Sequence, residues 1–359
     1  MRTKIYFIGL LVLLAFTGCY NRELNHYIGT EDRDVPPTPI LVNANTTSPG
    51  GQTRAPWDGN ETTLSTTKKY DAYVLVSETN GDYTTLYTDD DDNQHNRVIW
   101  TDDIATRFSD ASGAITDYYY SIDETIYLVG LYPYTTATTG GGWAQATAGT
   151  VTATTTAKGT FDGKTDLMYA HQVSANQDTS PTLTFDHLGT LLQFYLKAED
   201  EAAVAEWGNI TSITLTGMAG GMKNTTTVTF ADATTSYGGT PTSMPVYGAT
   251  YSSSAYSYTD VAYTGKDYEL TTTATCQAYT IVPPVTSDAA TGTAEYTLTI
   301  NTVNATGAVV NLQLETTAAK STKGNSYKVT LNFKETGEVG TEVSVLDWVP
   351  GTNVNQDVD

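Results

Sequence analysis

From about residue 63 onward, short stretches of β-branched, aromatic and other apolar residues alternate with polar ones. "KYDAYVLVSE" (69–78), "ETIYLVGLYPY" (124–134), "PTLTFDHLGTLLQFYLKA" (181–198) and "NITSITLTG" (209–217) open the series. It continues through "TTTVTFAD" (225–232), "AYTIVPP" (278–284), "AEYTLTINT" (294–302), "VVNLQLET" (309–316), "NSYKVTLNFKE" (325–335) and "TEVSVLDWV" (341–349). Each is bounded by Gly, Asn, Asp or Pro, and a period of two is that of a strand with one buried face. Only "AEDEAAVAEWG" (198–208) has a helical spacing, long enough for one or two turns. The pattern predicts an all-β protein built of antiparallel β-sandwiches.

The chain has 359 residues, enough for two domains with cores of their own. The polar stretch "VSANQDTSP" (173–181) reads as a linker. It places an N-terminal sandwich at 55–182 and a C-terminal sandwich at 183–359. Two segments, 136–159 (rich in Thr, Gly and Ala) and 247–268 (rich in Tyr and Ser), read as loop or edge insertions.

Charge narrows the partners. The formal net charge is −22 with only 16% charged residues, so the surface is mostly Thr, Ser, Asn and Tyr. A chain this acidic repels nucleic acid and anionic lipid headgroups, and no nucleic-acid partner is expected.

The first residues are not part of the fold. Arg2 and Lys4 precede the apolar run 5–16, which is too short to span a membrane and has the flanks of a secretory signal. Thr17 and Gly18 stand before Cys19 and resemble a bacterial lipobox, with Phe16 where such boxes usually carry leucine. That resemblance implies a signal peptide over 1–18 and a lipid on Cys19 that holds the precursor at the outer membrane. With Cys19 acylated, Cys276 has no partner, and it reads as a buried structural thiol. A polar tether (20–39), the apolar run "ILV" (40–42) and the loop "NANTTSPGGQTRAPWDG" (43–59) follow.

Catalytic chemistry has no constellation to rest on. The histidines His26, His95, His171 and His187 are scattered, and no nucleophile elbow, zinc-protease helix, phosphate loop or dinucleotide fingerprint occurs. The run "DDDDNQHN" (89–96) lacks the turn glycine and closing glutamate of a calcium loop and reads as a solvated hairpin tip. No enzyme activity, cofactor or metal is expected.

Several stretches together resemble the fimbrillin-like family of type V pilus subunits. They are "IYLVGLYPY" (126–134), "KTDLMYAH" (164–171), "LTFDHLGTLLQFYLKA" (183–198), "AYTIVPP" (278–284) and the hairpin 323–351 with Trp348. Their order and spacing carry the likeness from the lipobox to the end of the chain. The resemblance implies two tandem transthyretin-like sandwiches exported as a lipoprotein. It also implies cutting by an arginine-specific protease in the loop after the first strand, and polymerisation with other pilin subunits by strand exchange.

This sequence meets that pattern at Arg54–Ala55. Arg22 is followed by Glu23 and Arg33 lies between Asp32 and Asp34, carboxylates that compete with the acid in a protease's specificity pocket. Arg54 has neutral neighbours and lies among Pro49, Gly50, Gly51 and Pro56, an open loop composition. The segment 19–54 is then a lipidated propeptide carrying the first strand. As donor, residues 338–359 offer Val343, Val345, Val354 and Val358, although "TEVSVLDWV" equally reads as the last strand of the C-terminal domain. The rival reading is a surface lipoprotein that keeps its anchor and presents the tyrosines of 247–268 to a glycan or a host protein.

Overall fold

The computed structural model describes residues 40–46, 69–88, 96–101, 108–109, 125–134, 141–144, 146–147, 150–151, 155–217, 222–252, 255–285, 296–314 and 321–347. Strands are numbered in chain order. A seven-stranded sheet runs in the order β1 (Asn43–Thr46), β11 (Thr182–His187), β10 (Met168–Ala175), β5 (Ile126–Tyr132), β2 (Lys69–Ser77), β3 (Arg97–Thr101), β4 (Phe108–Ser109). A four-stranded sheet has the order β15 (Thr235–Gly238), β14 (Thr225–Thr229), β9 (Thr156–Thr160), β6 (Gly142–Trp143). The strands β7 (Ala146–Thr147) and β8 (Thr150–Val151) form a small ribbon.

The later part of the chain forms a six-stranded sheet in the order β17 (Ala255–Ala262), β16 (Tyr247–Ser252), β19 (Thr275–Val282), β12 (Thr190–Ala198), β22 (Asn325–Phe333), β23 (Val339–Asp347). A four-stranded sheet, β18 (Thr264–Tyr268), β13 (Ile210–Gly217), β20 (Tyr296–Thr302), β21 (Ala308–Leu312), completes it.

The seven-stranded sheet explains its own sequence. Tyr73, Leu75, Val129, Leu131 and Tyr169 point into one core, and Ala72, Val74, Val76, Ile126, Leu128 and Met168 into another. Both faces are covered, so β2 and β5 read as nearly continuous apolar runs rather than as alternation. The helix α1 (Glu201–Trp207) is capped by Asp200, whose carboxylate accepts from the Ala203 N–H at 2.8 Å. It ends at Gly208, which takes a positive φ of 66°. Its buried Trp207 donates Nε1–H to the Lys334 carbonyl at 2.8 Å.

The sheets do not divide the chain at 182/183. β11 pairs antiparallel with β10 and so joins strands of the first half. β14 and β15, from well inside the second half, complete the small sheet, β14 pairing with β9 and β15 with β14. One core of buried residues runs from Tyr73 to Phe333 across that point. The segments expected as insertions also hold sheet positions. Between 136 and 159 the chain supplies β6 and most of β9, and β16 of the 247–268 segment pairs with β19. Ala157 and Gly159 suit β9 because they are small. A Cβ on Gly159 would stand 2.7 Å from Leu167 Cδ1.

Candidate functional site

The N-terminal apolar run lies at the open edge of the seven-stranded sheet. β1 runs parallel to β11, with Asn43 opposite Thr182, Ala44 opposite Leu183, Asn45 opposite Thr184 and Thr46 opposite Phe185. The Asn43 N–H donates to the Pro181 carbonyl at 2.9 Å. Ile40, Val42 and Ala44 are buried, at 0%, 0% and 1% exposure, in the core that also holds Leu183 and Phe185. Leu41 and Asn43, between them, are half-buried. Alternation thus seats one face of the segment in the sheet's second core. Burying Ile40 and Val42 contributes about 1.5–3 kcal/mol each.

The floor beneath this edge depends on a glycine. A Cβ on Gly130 of β5 would stand 2.6 Å from Phe185 Cζ and 3.0 Å from Ala170 Cβ. Gly130 therefore lets the Phe185 ring lie against β5. At the far end of β11, His187 Nδ1 and Asp166 Oδ2 are 2.8 Å apart, with both side chains buried. Burial raises the Asp166 carboxyl above its ordinary value, and the facing His187 pulls it down. His171 Nε2 lies 3.2 Å from Asp186 Oδ2 at a more exposed position on the same pair of strands.

Two of the four donor candidates are visible. Val343 and Val345 belong to β23, the edge strand of the six-stranded sheet, opposite Val329 and Tyr327 of β22. Val343 is half-buried against the main core, whereas Val345 is 54% exposed. Cys19, Arg54, Ala55, Val354 and Val358 lie outside the described residues, as does the acidic run 89–92. Cys276 is buried and free, and burial pushes its thiol up to about 12. Among the described residues no group of three or more His, Cys, Asp or Glu could hold a metal ion, and no helix is long and apolar enough to cross a membrane.

Three tyrosines of 247–268 have described side chains, Tyr247, Tyr263 and Tyr268, and none of them is exposed. Tyr263 is fully buried and stacks on Tyr268 at 3.7 Å, and Tyr247 is half-buried. Tyr247 instead borders an open cleft of about 530 Å³ shared with Asp162, Lys164, Asn224 and Met244. Its hydroxyl donates to the Asp162 carbonyl at 3.1 Å. Sequence reasoning found the first strand but not its partner β11, nor the Gly130–Phe185 contact. A glycine inside the apolar run "YLVGLY" was the one available signal.

These features define a class: an all-β protein of several sheets that seats an early strand at the edge of its first sheet. The fimbrillin-like family model matches residues 53–348, and the chain belongs to that family. Comparison with curated proteins gives no match. Among solved structures, a protein described as a candidate cell adhesion protein from Bacteroides uniformis is 16% identical, with a TM-score of 0.48 over 87% of this chain and 98% of that one. One of the same description from Bacteroides ovatus is 15% identical, with a TM-score of 0.49 over 88% and 99%. A fimbrial protein from Bacteroides vulgatus is 13% identical, with a TM-score of 0.44 over 86% and 99%. Likeness at this level adds nothing to the family assignment.

Proposed function

We propose that this protein is a structural subunit, stalk or accessory, of a cell-surface fimbria that supports adhesion, and not an enzyme. On this reading the precursor reaches the outer membrane through a lipid on Cys19, and an arginine-specific protease cuts between Arg54 and Ala55. Residues 19–54 then leave with β1, and the chain 55–359, folded as two transthyretin-like sandwiches, polymerises when another subunit's strand enters the vacated edge. The observation that carries this reading is the seating of Ile40, Val42 and Ala44. Removing that segment uncovers a row of backbone donors and acceptors on β11 together with an apolar trough, which is the acceptor for β-augmentation. A head-to-tail contact of this kind does not close and so builds a filament.

Mass spectrometry of the surface-exposed protein tests the cut. An N-terminus at Ala55, lost together with filaments in Arg54→Gln, is expected. An acylated Cys19 retained on the surface form, with filaments unaffected by Arg54→Gln, would overturn it. The Tyr247 cleft favours a second reading, a lipoprotein that keeps β1 and binds a glycan or a host protein without polymerising. An acylated surface form that binds glycan through Lys164 and Tyr247 would support it.

A further inference from the structure

The edge occupied by β1 accepts some strands and refuses others. Its three inward positions are graded: Ile40, then Val42, then Ala44, none more than 1% exposed. Ala44 stands opposite Leu183, and Phe185 lies two residues further along β11. Two bulky side chains already fill the β11 side there, with the Phe185 ring held against Gly130. A larger residue in Ala44's place would have to displace them. Ile40 and Val42 precede β1 in sequence and are buried in the same core as Leu183 and Phe185.

The segment 338–359 does not meet this grading. Read parallel to β11, Val343–Val345–Asp347 puts a carboxylate in Ala44's place. Val354–Gln356–Val358 puts an amide in Val42's place. Leu346–Trp348–Pro350 puts an indole where a valine sits and a proline, with no N–H, in the ladder. A charge or an amide without partners is costly at a site this dry. Residues 339–347 are also already used, paired at nine positions with β22.

We infer that the β1 edge selects a strand from a different protein chain, running parallel to β11 and carrying a large aliphatic residue, a β-branched residue and a small residue at alternate positions. The assembly contact made here is therefore between unlike subunits, and a second copy of this chain is not the donor. This rests on the reading that β1 leaves after the cut.

The test uses the full chain, cut with trypsin and incubated with an excess of fluorescent peptides, with exchange read by native mass spectrometry and anisotropy. A peptide of residues 38–47 should exchange into the cut protein. The same peptide with Ala44→Leu should bind at least about tenfold more weakly. A peptide of residues 338–359 should not bind, and the cut protein alone should stay monomeric. Equal binding of the Ala44→Leu peptide, binding of the 338–359 peptide, or polymer from the cut protein alone would overturn the selectivity. Failure of the 38–47 peptide itself to exchange would instead strike the strand-exchange reading beneath it.

Discussion

Replacing Ile40 with alanine tests whether β1 is held mainly by its inward side chains. The residue is fully buried, so the change removes three carbons from a packed site, and substitutions of this kind cost about 2–5 kcal/mol. β1 touches the sheet through a single neighbouring strand, so it should open locally before the protein unfolds. The probe is the Asn43 amide, which donates to Pro181 and can exchange with solvent only when the strand lifts. At tenfold per 1.4 kcal/mol, Ile40→Ala should speed its hydrogen exchange by about 30-fold or more. Leu41→Ala, at a half-buried position facing the other way, should change it much less. In the unaltered protein the same amide should exchange faster than those of β22, which has a strand on each side. An Asn43 rate unmoved by Ile40→Ala, or moved equally by Leu41→Ala, would refute the idea that alternate burial seats this strand.

Gly130→Ala should destabilise the protein by about 1–3 kcal/mol in urea titrations, because the new methyl meets the Phe185 ring; an unchanged midpoint would contradict the packing described. Cys276, with its thiol at about 12, should be inert to thiol reagents near pH 8 in the folded protein and react on unfolding, since only about one molecule in ten thousand carries a thiolate. Burial raises the Asp166 carboxyl above its ordinary 3.8, so the folded state binds that proton more tightly than the unfolded chain. Its contribution to stability therefore falls as pH rises from 3.8 through the raised value, and the stability of Asp166→Asn should fall less between about pH 4 and pH 7 than that of the parent, measured by denaturant titration.

Strand content was legible where a strand buries alternate residues. β20 alternates buried and half-buried residues over its whole length, a pattern readable from sequence alone. The partnerships were not legible. Only Leu188 and Gly189 separate β11 from β12, yet there the chain passes from the first sheet to the six-stranded one. Gly189 fits because a Cβ would meet Ile281 and Phe161 at under 3 Å, a contact no local pattern announces. For the same reason β14 could not be assigned to β9, about seventy positions earlier: pairings at long separation leave no mark on either strand. At the candidate site, the apolar run with Ile40 and Val42 pointed to a strand, whereas Arg54 lies outside the described residues. That β11 receives the strand, in parallel, could be learned only from the fold.

The two ends of the chain differ in a way that bears on which of them can be exchanged. β23 is joined to β22 at nine consecutive positions, antiparallel and through a short hairpin in which the Lys334 N–H donates to the Glu338 carbonyl at 2.9 Å. β1 is joined to β11 at four, in parallel, and residues 47–68 separate it from β2 in sequence. Parallel pairing is the weaker kind per residue, and a cut hairpin loses the proximity that an intact turn supplies. An edge meant to be vacated should have few ladder bonds, a severable connection and a hydrophobic seat ready for a replacement. β23 has many ladder bonds, a tight turn and an exposed Val345, whereas the pairing of β1 is short and its inward residues are buried. β1 and β23 thus differ, among the described residues, in the length, direction and connection of their pairing.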